Sequence, residues 1–186
     1  ALGNLTSGGS IANLIAIVTA RDFHQITSAK IPNAVIYLTE QAHHSVQKAI
    51  RMAGLNEAIL RYIPIDEKLR MDSSILKEQV AKDQDEGLHP FLIIASAGTT
   101  DTGAMDPLKE IGSISKEHKL WFHVDAAYGG FFILSEETKA LFEGIEMSDS
   151  VTIDPHKGLF LSYGTGAVLI KNVEALNKSH QYTASY

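Results

Sequence analysis

The sequence predicts an α/β fold: a three-layer sandwich with helices on both sides of a mainly parallel sheet. Three observations carry this prediction. Short apolar runs of strand length alternate with segments of helical period. The runs are near-continuously apolar, as strands covered on both faces must be. The residues just after each run are rich in His, Asp, Thr and Gly, the chemistry that gathers beyond the carboxyl ends of strands in such sheets.

Taken in order, Ala1-Leu2-Gly3-Asn4 reads as a turn, and Ser10 to Arg21 follows as a helix with Ile11, Leu14, Ile15 and Val18 at helical spacing. The β-branched or aromatic runs are Ala34 to Leu38, Ile59 to Ile63, Phe91 to Ala95, Leu120 to Val124, Ser150 to Ile153 and Ala167 to Ile170. Helices are expected over Ser45 to Ala53, Asp72 to Asp85, Pro107 to His118 and Glu136 to Phe142. Asp106-Pro107 reads as an N-cap followed by proline at the first helical position. With no internal repeat, low-complexity tract or linker, residues 1–186 read as one domain.

Composition narrows the function. The chain has 186 residues, 16 Lys and Arg against 22 Asp and Glu, a net charge of −6 and no cysteine. Thiol catalysis, thiolate metal sites and disulfides are thereby excluded, and a cytoplasmic location is expected. The apolar stretches fall well short of the ~20 residues that cross a bilayer. The acidic balance, without a Lys/Arg cluster, argues against nucleic acid or an anionic membrane as partner. A small anionic ligand would need a local cradle.

Three motifs offer such chemistry. Thr6-Ser7-Gly8-Gly9-Ser10 runs into a helix, where free amides and hydroxyls suit a phosphate, although Ser and Gly there also serve as plain caps. It is neither a Walker A loop nor a dinucleotide fingerprint. His123-Val124-Asp125-Ala126-Ala127-Tyr128-Gly129-Gly130 puts a carboxylate at the end of a buried strand, where its charge needs a cation or protonated base, unless it only caps a turn. Asp154-Pro155-His156-Lys157-Gly158 sets a lysine at the mouth of a βα layer, where a partly desolvated amine forms Schiff bases with carbonyls. Taken together, these pieces match the phosphate, pyridine nitrogen and aldehyde of pyridoxal 5′-phosphate.

With Gln41-Ala42-His43 and Gly98-Thr99-Thr100 added in order, the whole chain resembles the group II pyridoxal-phosphate decarboxylases of aromatic, acidic and diamino acids. The resemblance implies the large domain of fold type I, with a mixed seven-stranded sheet. It implies that Lys157 forms the Schiff base and that Asp125 keeps the ring nitrogen protonated. His43 would stack on the ring, since the neighbouring His44 falls where relatives often carry Ser. Gly9 and Ser10 match phosphate-cradle positions, with Asp154 and His156 nearby, and Thr100 and Ala127 match lining positions. Tyr186 falls, by register, on a mobile-loop tyrosine that protonates the product carbon. Ile11 stands where relatives commonly have Glu, and Gly158 where animal aromatic-acid relatives have Trp.

The function expected is decarboxylation of an L-amino acid to its amine. The resemblance further implies a homodimer with the site at its interface, and a longer protein supplying an N-terminal segment and a small C-terminal domain, without which this core is expected to be inactive or to bind the cofactor weakly. Competing readings are aldol cleavage or amino transfer on the same cofactor, or a metallohydrolase using His43, His44, His123, Asp125 and His156. That last set lacks the i, i+4 spacing of a compact zinc motif, and no metal is expected. His24, His89, His118 and His180 are expected in solvent, Trp121 and Phe122 in the core, and Lys82 to Glu86 on a helix's wet face.

Overall fold

The computed structural model describes residues 1–180. The strands are β1 (Leu2–Thr6), β2 (Ala34–Leu38), β3 (Ile59–Tyr62), β4 (His89–Ser96), β5 (Trp121–Asp125), β6 (Ser150–Ile153) and β7 (Gly166–Ile170). They form one sheet in the order β1-β7-β6-β5-β4-β2-β3. Neighbours from β6 to β3 pair in parallel, and β7 runs against both β6 and β1. This is the mixed, mainly parallel sheet expected.

The α-helices are α1 (Gly9–Phe23), α2 (His44–Met52), α3 (Ser73–Asp85), α4 (Leu108–His118), α5 (Pro155–Gly158) and α6 (Val173–His180). None of the described helices is long and apolar enough to cross a membrane. Two apolar layers flank the sheet, and β2 shows why its sequence reads as a continuous apolar run. Ala34, Ile36 and Leu38 pack with α1 and α2 on one side, while Val35 and Tyr37 pack with α3 and α4 on the other. Trp121 and Phe122, on successive positions of β5, are likewise buried on opposite sides.

Four local expectations need correction. The first residues are not a turn: Leu2–Thr6 is a strand, made by antiparallel pairing to β7 rather than by its own propensity. Helix α1 buries Ala12, Ala16, Ile17 and Ala20, not the stripe headed by Ile11, because small residues let it lie close on the sheet; Ile11 is 37% exposed. Glu136 to Phe142 is not an α-helix but ends in a 3₁₀ turn over Lys139–Phe142, since Phe142 is its sole buried anchor. Asp106 does not cap α4, which starts after Pro107 without a side-chain cap. Its buried carboxylate instead accepts hydrogen bonds from the amides of Met71 and Ser96, both at 2.7 Å.

Asp83 in the charge run and two of the four histidines expected in solvent also diverge, while His89 and His180 are exposed as expected. Asp83, inside the run from Lys82 to Glu86, is fully buried and accepts from Arg61, Gln79 and the Tyr37 hydroxyl. Burial and this carboxylate hold the Tyr37 phenol far above its ordinary range. His24 is tucked edge-on against Phe23 and Phe91, and burial pushes its pKa down to about 4. His118 is half-buried, its Nδ1 paired with Gln84 and its Nε2 buried without a partner.

Candidate active site

A cavity of ≈ 200 Å³ opens where β4, β5 and β6 end. It is larger than the ~150 Å³ cavity that admits a benzene ring. Its walls come from the amino end of α1, the start of α2, the loops after β4 and β5, and the turn carrying Lys157.

The amino end of α1 supplies backbone donors. Gly8 stands at the N-cap position at φ 115°, a conformation that favours glycine, and no side chain takes up the free amides. Ser7 and Ser10 therefore do not cap the helix, and the plain-capping alternative has no hydrogen bond to support it. Gly9 lies so close to its neighbours that a Cβ there would sit 2.9 Å from Asp154 Oδ2 and 3.1 Å from Ala127 Cβ.

Two carboxylates face this region in different states. Asp154 is 2% exposed; its Oδ2 pairs with Lys157 Nζ at 3.1 Å, while Oδ1 is buried without a partner. Asp125 accepts from the amide of Ala127 at 3.1 Å and from Asn13 Nδ2 at 2.9 Å, two neutral donors that leave its charge uncompensated. His43 Nδ1 accepts from the amide of Ser45 at 3.2 Å and lies 2.7 Å from its hydroxyl, which makes His43 the cap of α2. A neutral His43 thus carries its proton on Nε2. Burial, then the neighbouring His44, hold its pKa below the ordinary value.

The structure brings Gly9, Ser10, His43, Thr100, Asp125, Ala127, Asp154, His156 and Lys157 to this one cavity. Tyr186 lies outside the described residues. His156 is fixed by its Nδ1 on the Thr165 carbonyl at 2.7 Å and stands edge-on to Tyr163. Asn13, Ser45 and Tyr163 also line the cavity and were not singled out from the sequence. Asn13 is a fully buried amide on the small-residue face of α1 and needs a polar partner.

The five-residue metal set does not converge. His43 Nδ1 is committed to Ser45, and both His123 nitrogens are committed to Ser150 and Asn13. Among the described residues, no three His, Asp or Glu side chains are arranged to hold a metal ion.

The residues fit pyridoxal phosphate on the structure's own terms. An uncapped helix end suits a phosphate, an amine suits an aldehyde, and a carboxylate with neutral partners suits a protonated ring nitrogen.

Comparisons with known proteins agree with this geometry. The conserved domain described as pyridoxal-dependent decarboxylase matches residues 1–186. The chain is 41% identical to an aromatic-L-amino-acid decarboxylase of Bacillus atrophaeus, over 99% of this chain and 38% of that protein. It is 37% identical to an L-2,4-diaminobutyrate decarboxylase of Acinetobacter baumannii, over 99% of this chain and 39% of that one. The crystal structure of Oryza sativa TDC with PLP and tryptamine superposes with a TM-score of 0.92 at 29% identity, covering 99% of this chain and 39% of that chain. The chain thus spans under two fifths of the length of these relatives.

Proposed function

The chain belongs to the pyridoxal-dependent decarboxylase family, and on that premise we propose that it is the cofactor-binding domain of a longer enzyme that removes carbon dioxide from an L-amino acid, leaving the amine. The observation that carries this reading is the convergence of Lys157, Asp125 and the uncapped end of α1 on one cavity.

When bound, pyridoxal phosphate supplies an aldehyde that takes up an amine and a ring that accepts electrons from a breaking bond at Cα. Lys157 would hold the aldehyde, Asp125 the ring nitrogen, and Gly9 and Ser10 the phosphate, with Asp154 and His156 beside them. His43 would lie against the ring, and Thr100 and Ala127 would line it.

The chain's own groups then act by charge and position. Asp154 Oδ2 holds the Lys157 ammonium at the cavity until a ligand takes its place. Asp125, whose described hydrogen-bond donors Asn13 and Ala127 are both neutral, would pair with a cationic N–H. With the cofactor in place, wall residues that orient the bound amino acid would favour loss of its carboxylate over aldol cleavage or amino transfer. In this reading His43, whose neutral ring carries its proton on Nε2, and Tyr186 are the donors that would return a proton to Cα.

A homodimer belongs to the same reading. Phe160 and Tyr163 are 93% and 96% exposed, and Tyr163 lines the cavity, so a second copy seated on Tyr163 would complete the wall. A cytoplasmic location is also part of it and rests on the chain's composition. The test of function is incubation of the purified protein with pyridoxal phosphate and aromatic, acidic and diamino acids. Carbon dioxide released in equal amount to the amine supports the reading; an aldehyde fragment or an oxo acid in its place overturns it.

A further inference from the structure

Strand β5 points Trp121, His123 and Asp125, alternate residues, toward α1, and a continuous hydrogen-bonded chain joins them through that face. Trp121 Nε1 donates to Ser150 Oγ at 2.9 Å, and Ser150 Oγ lies 2.9 Å from His123 Nδ1. His123 Nε2 lies 3.0 Å from Asn13 Oδ1, and Asn13 Nδ2 donates to Asp125 Oδ2 at 2.9 Å. Asn13 and His123 are fully buried, Ser150 is 1% exposed and Trp121 is 2% exposed.

The direction of this chain is fixed by its two ends. An indole N–H can only donate, and an ionised carboxylate can only accept. Asn13 must therefore turn its NH₂ to Asp125 and its oxygen to His123. His123 must then carry its proton on Nε2, and Ser150 must donate to Nδ1 while accepting from Trp121. Every group donates toward Asp125, and none carries a charge that would neutralise it. A cation in Asn13's place would compete for the carboxylate's charge; an amide orients the carboxylate and leaves that charge intact. Burial keeps His123 neutral by holding its pKa below the ordinary value.

We propose that Asn13 and His123 are positioning residues for Asp125, and that the one-way chain from Trp121 sets how firmly a bound cofactor's ring nitrogen keeps its proton. This rests on the reading of Asp125 as the ring-nitrogen partner.

The test loads the protein with ring-¹⁵N pyridoxal phosphate and follows the ring-nitrogen resonance against pH, alongside the cofactor dissociation constant. In Asn13→Leu and His123→Phe, the pH at which the ring nitrogen loses its proton is expected to fall by about one unit, a tenfold change. Affinity is expected to weaken about tenfold, by analogy with groups that orient a metal's ligands. His123→Gln, which keeps an N–H toward Asn13, is expected to restore most of both. If Asn13→Leu fails to fold, Ser150→Ala removes a single hydroxyl and is expected to move the titration the same way by a smaller step. An unchanged titration in the relay variants, while Asp125→Ala loses the ring proton, overturns the chain alone. A silent Asp125→Ala overturns the reading of the site and the chain with it.

Discussion

Lys157 Nζ and Asp154 Oδ2 are 3.1 Å apart across one turn of α5, the carboxylate 2% exposed and the lysine side chain 36%. The pair joins the proposed reactive amine to a buried charge that has no other side-chain partner among the described residues. Lys157→Ala is therefore expected to do two separable things. It removes the visible absorbance band and the borohydride-reducible adduct with pyridoxal phosphate. It also strands Asp154, lowering stability by ~1–3 kcal/mol, less than for a fully buried pair because Lys157 reaches water. Adding Asp154→Asn to Lys157→Ala is expected to recover the urea midpoint without the band. A band that survives in Lys157→Ala would assign the amine elsewhere.

Close backbone approach at the mouth gives a second expectation. A Cβ on Gly129 would overlap the Ala97 carbonyl and sit 3.1 Å from Gly98 Cα, so the obstacle is backbone and cannot rotate away. Gly129→Ala is expected to cost ~3 kcal/mol, the upper range for overpacking, and to shift the loop that carries Tyr128. By contrast, Gly54→Ala meets nothing within 4 Å and carries only the strain of φ 75°, expected at ~1 kcal/mol. Equal urea midpoints for the two variants would contradict this ordering.

The residues the sequence made legible are those whose role is local. Strands such as Ala34–Leu38 read correctly because burial on both faces leaves an unbroken apolar run. Lys157 and Asp125 stood out because strand ends collect polar residues between apolar runs. Strand β1 did not read as one: Gly3 and Asn4 lack strand propensity, and only pairing with β7 makes it. Nor could periodicity find Asp83, whose partners Tyr37 and Arg61 lie 46 and 22 residues away. Asn13 was invisible for the same reason, since its contact with Asp125 spans 112 residues and exists only once α1 lies on the sheet.

Acid sensitivity should trace in part to His24. Its folded pKa of about 4 lies below the ordinary 6.5, so the unfolded chain takes up a proton that the folded chain refuses. The stability this site contributes is full above pH 6.5 and falls as pH drops through 6.5 toward 4. His24→Phe keeps the aromatic edge contacts and removes both the titration and the partnerless Nε2. The loss of unfolding free energy between about pH 7.5 and about pH 4.5 is expected to shrink by on the order of 2–3 kcal/mol. A residual slope is expected from His123, whose pKa is also lowered by burial. Urea titrations at the two pH values decide it, and parallel profiles for wild type and variant would exclude His24 as a source.

Asp106 separates a helix cap from a buried brace by magnitude. An N-cap carboxylate is worth ~1 kcal/mol, because water can replace it at a frayed helix end. Asp106 is 5% exposed and holds the amides of Met71 and Ser96, which water does not reach once the two loops have closed. Burial raises its pKa while the two N–H donors pull it down, as expected for a carboxylate held for its acceptors. Asp106→Ala strands both donors and is expected to cost ~2–4 kcal/mol. Asp106→Asn keeps the shape and one acceptor but turns an NH₂ toward the other amide, so about half that loss is expected. Because the brace ties the loop before α3 to the end of β4, both variants should also loosen Ser96 at the cavity wall, visible as faster exchange of its amide. A loss near 1 kcal/mol in Asp106→Ala, with Ser96 exchange unchanged, would return Asp106 to the role of a cap on α4.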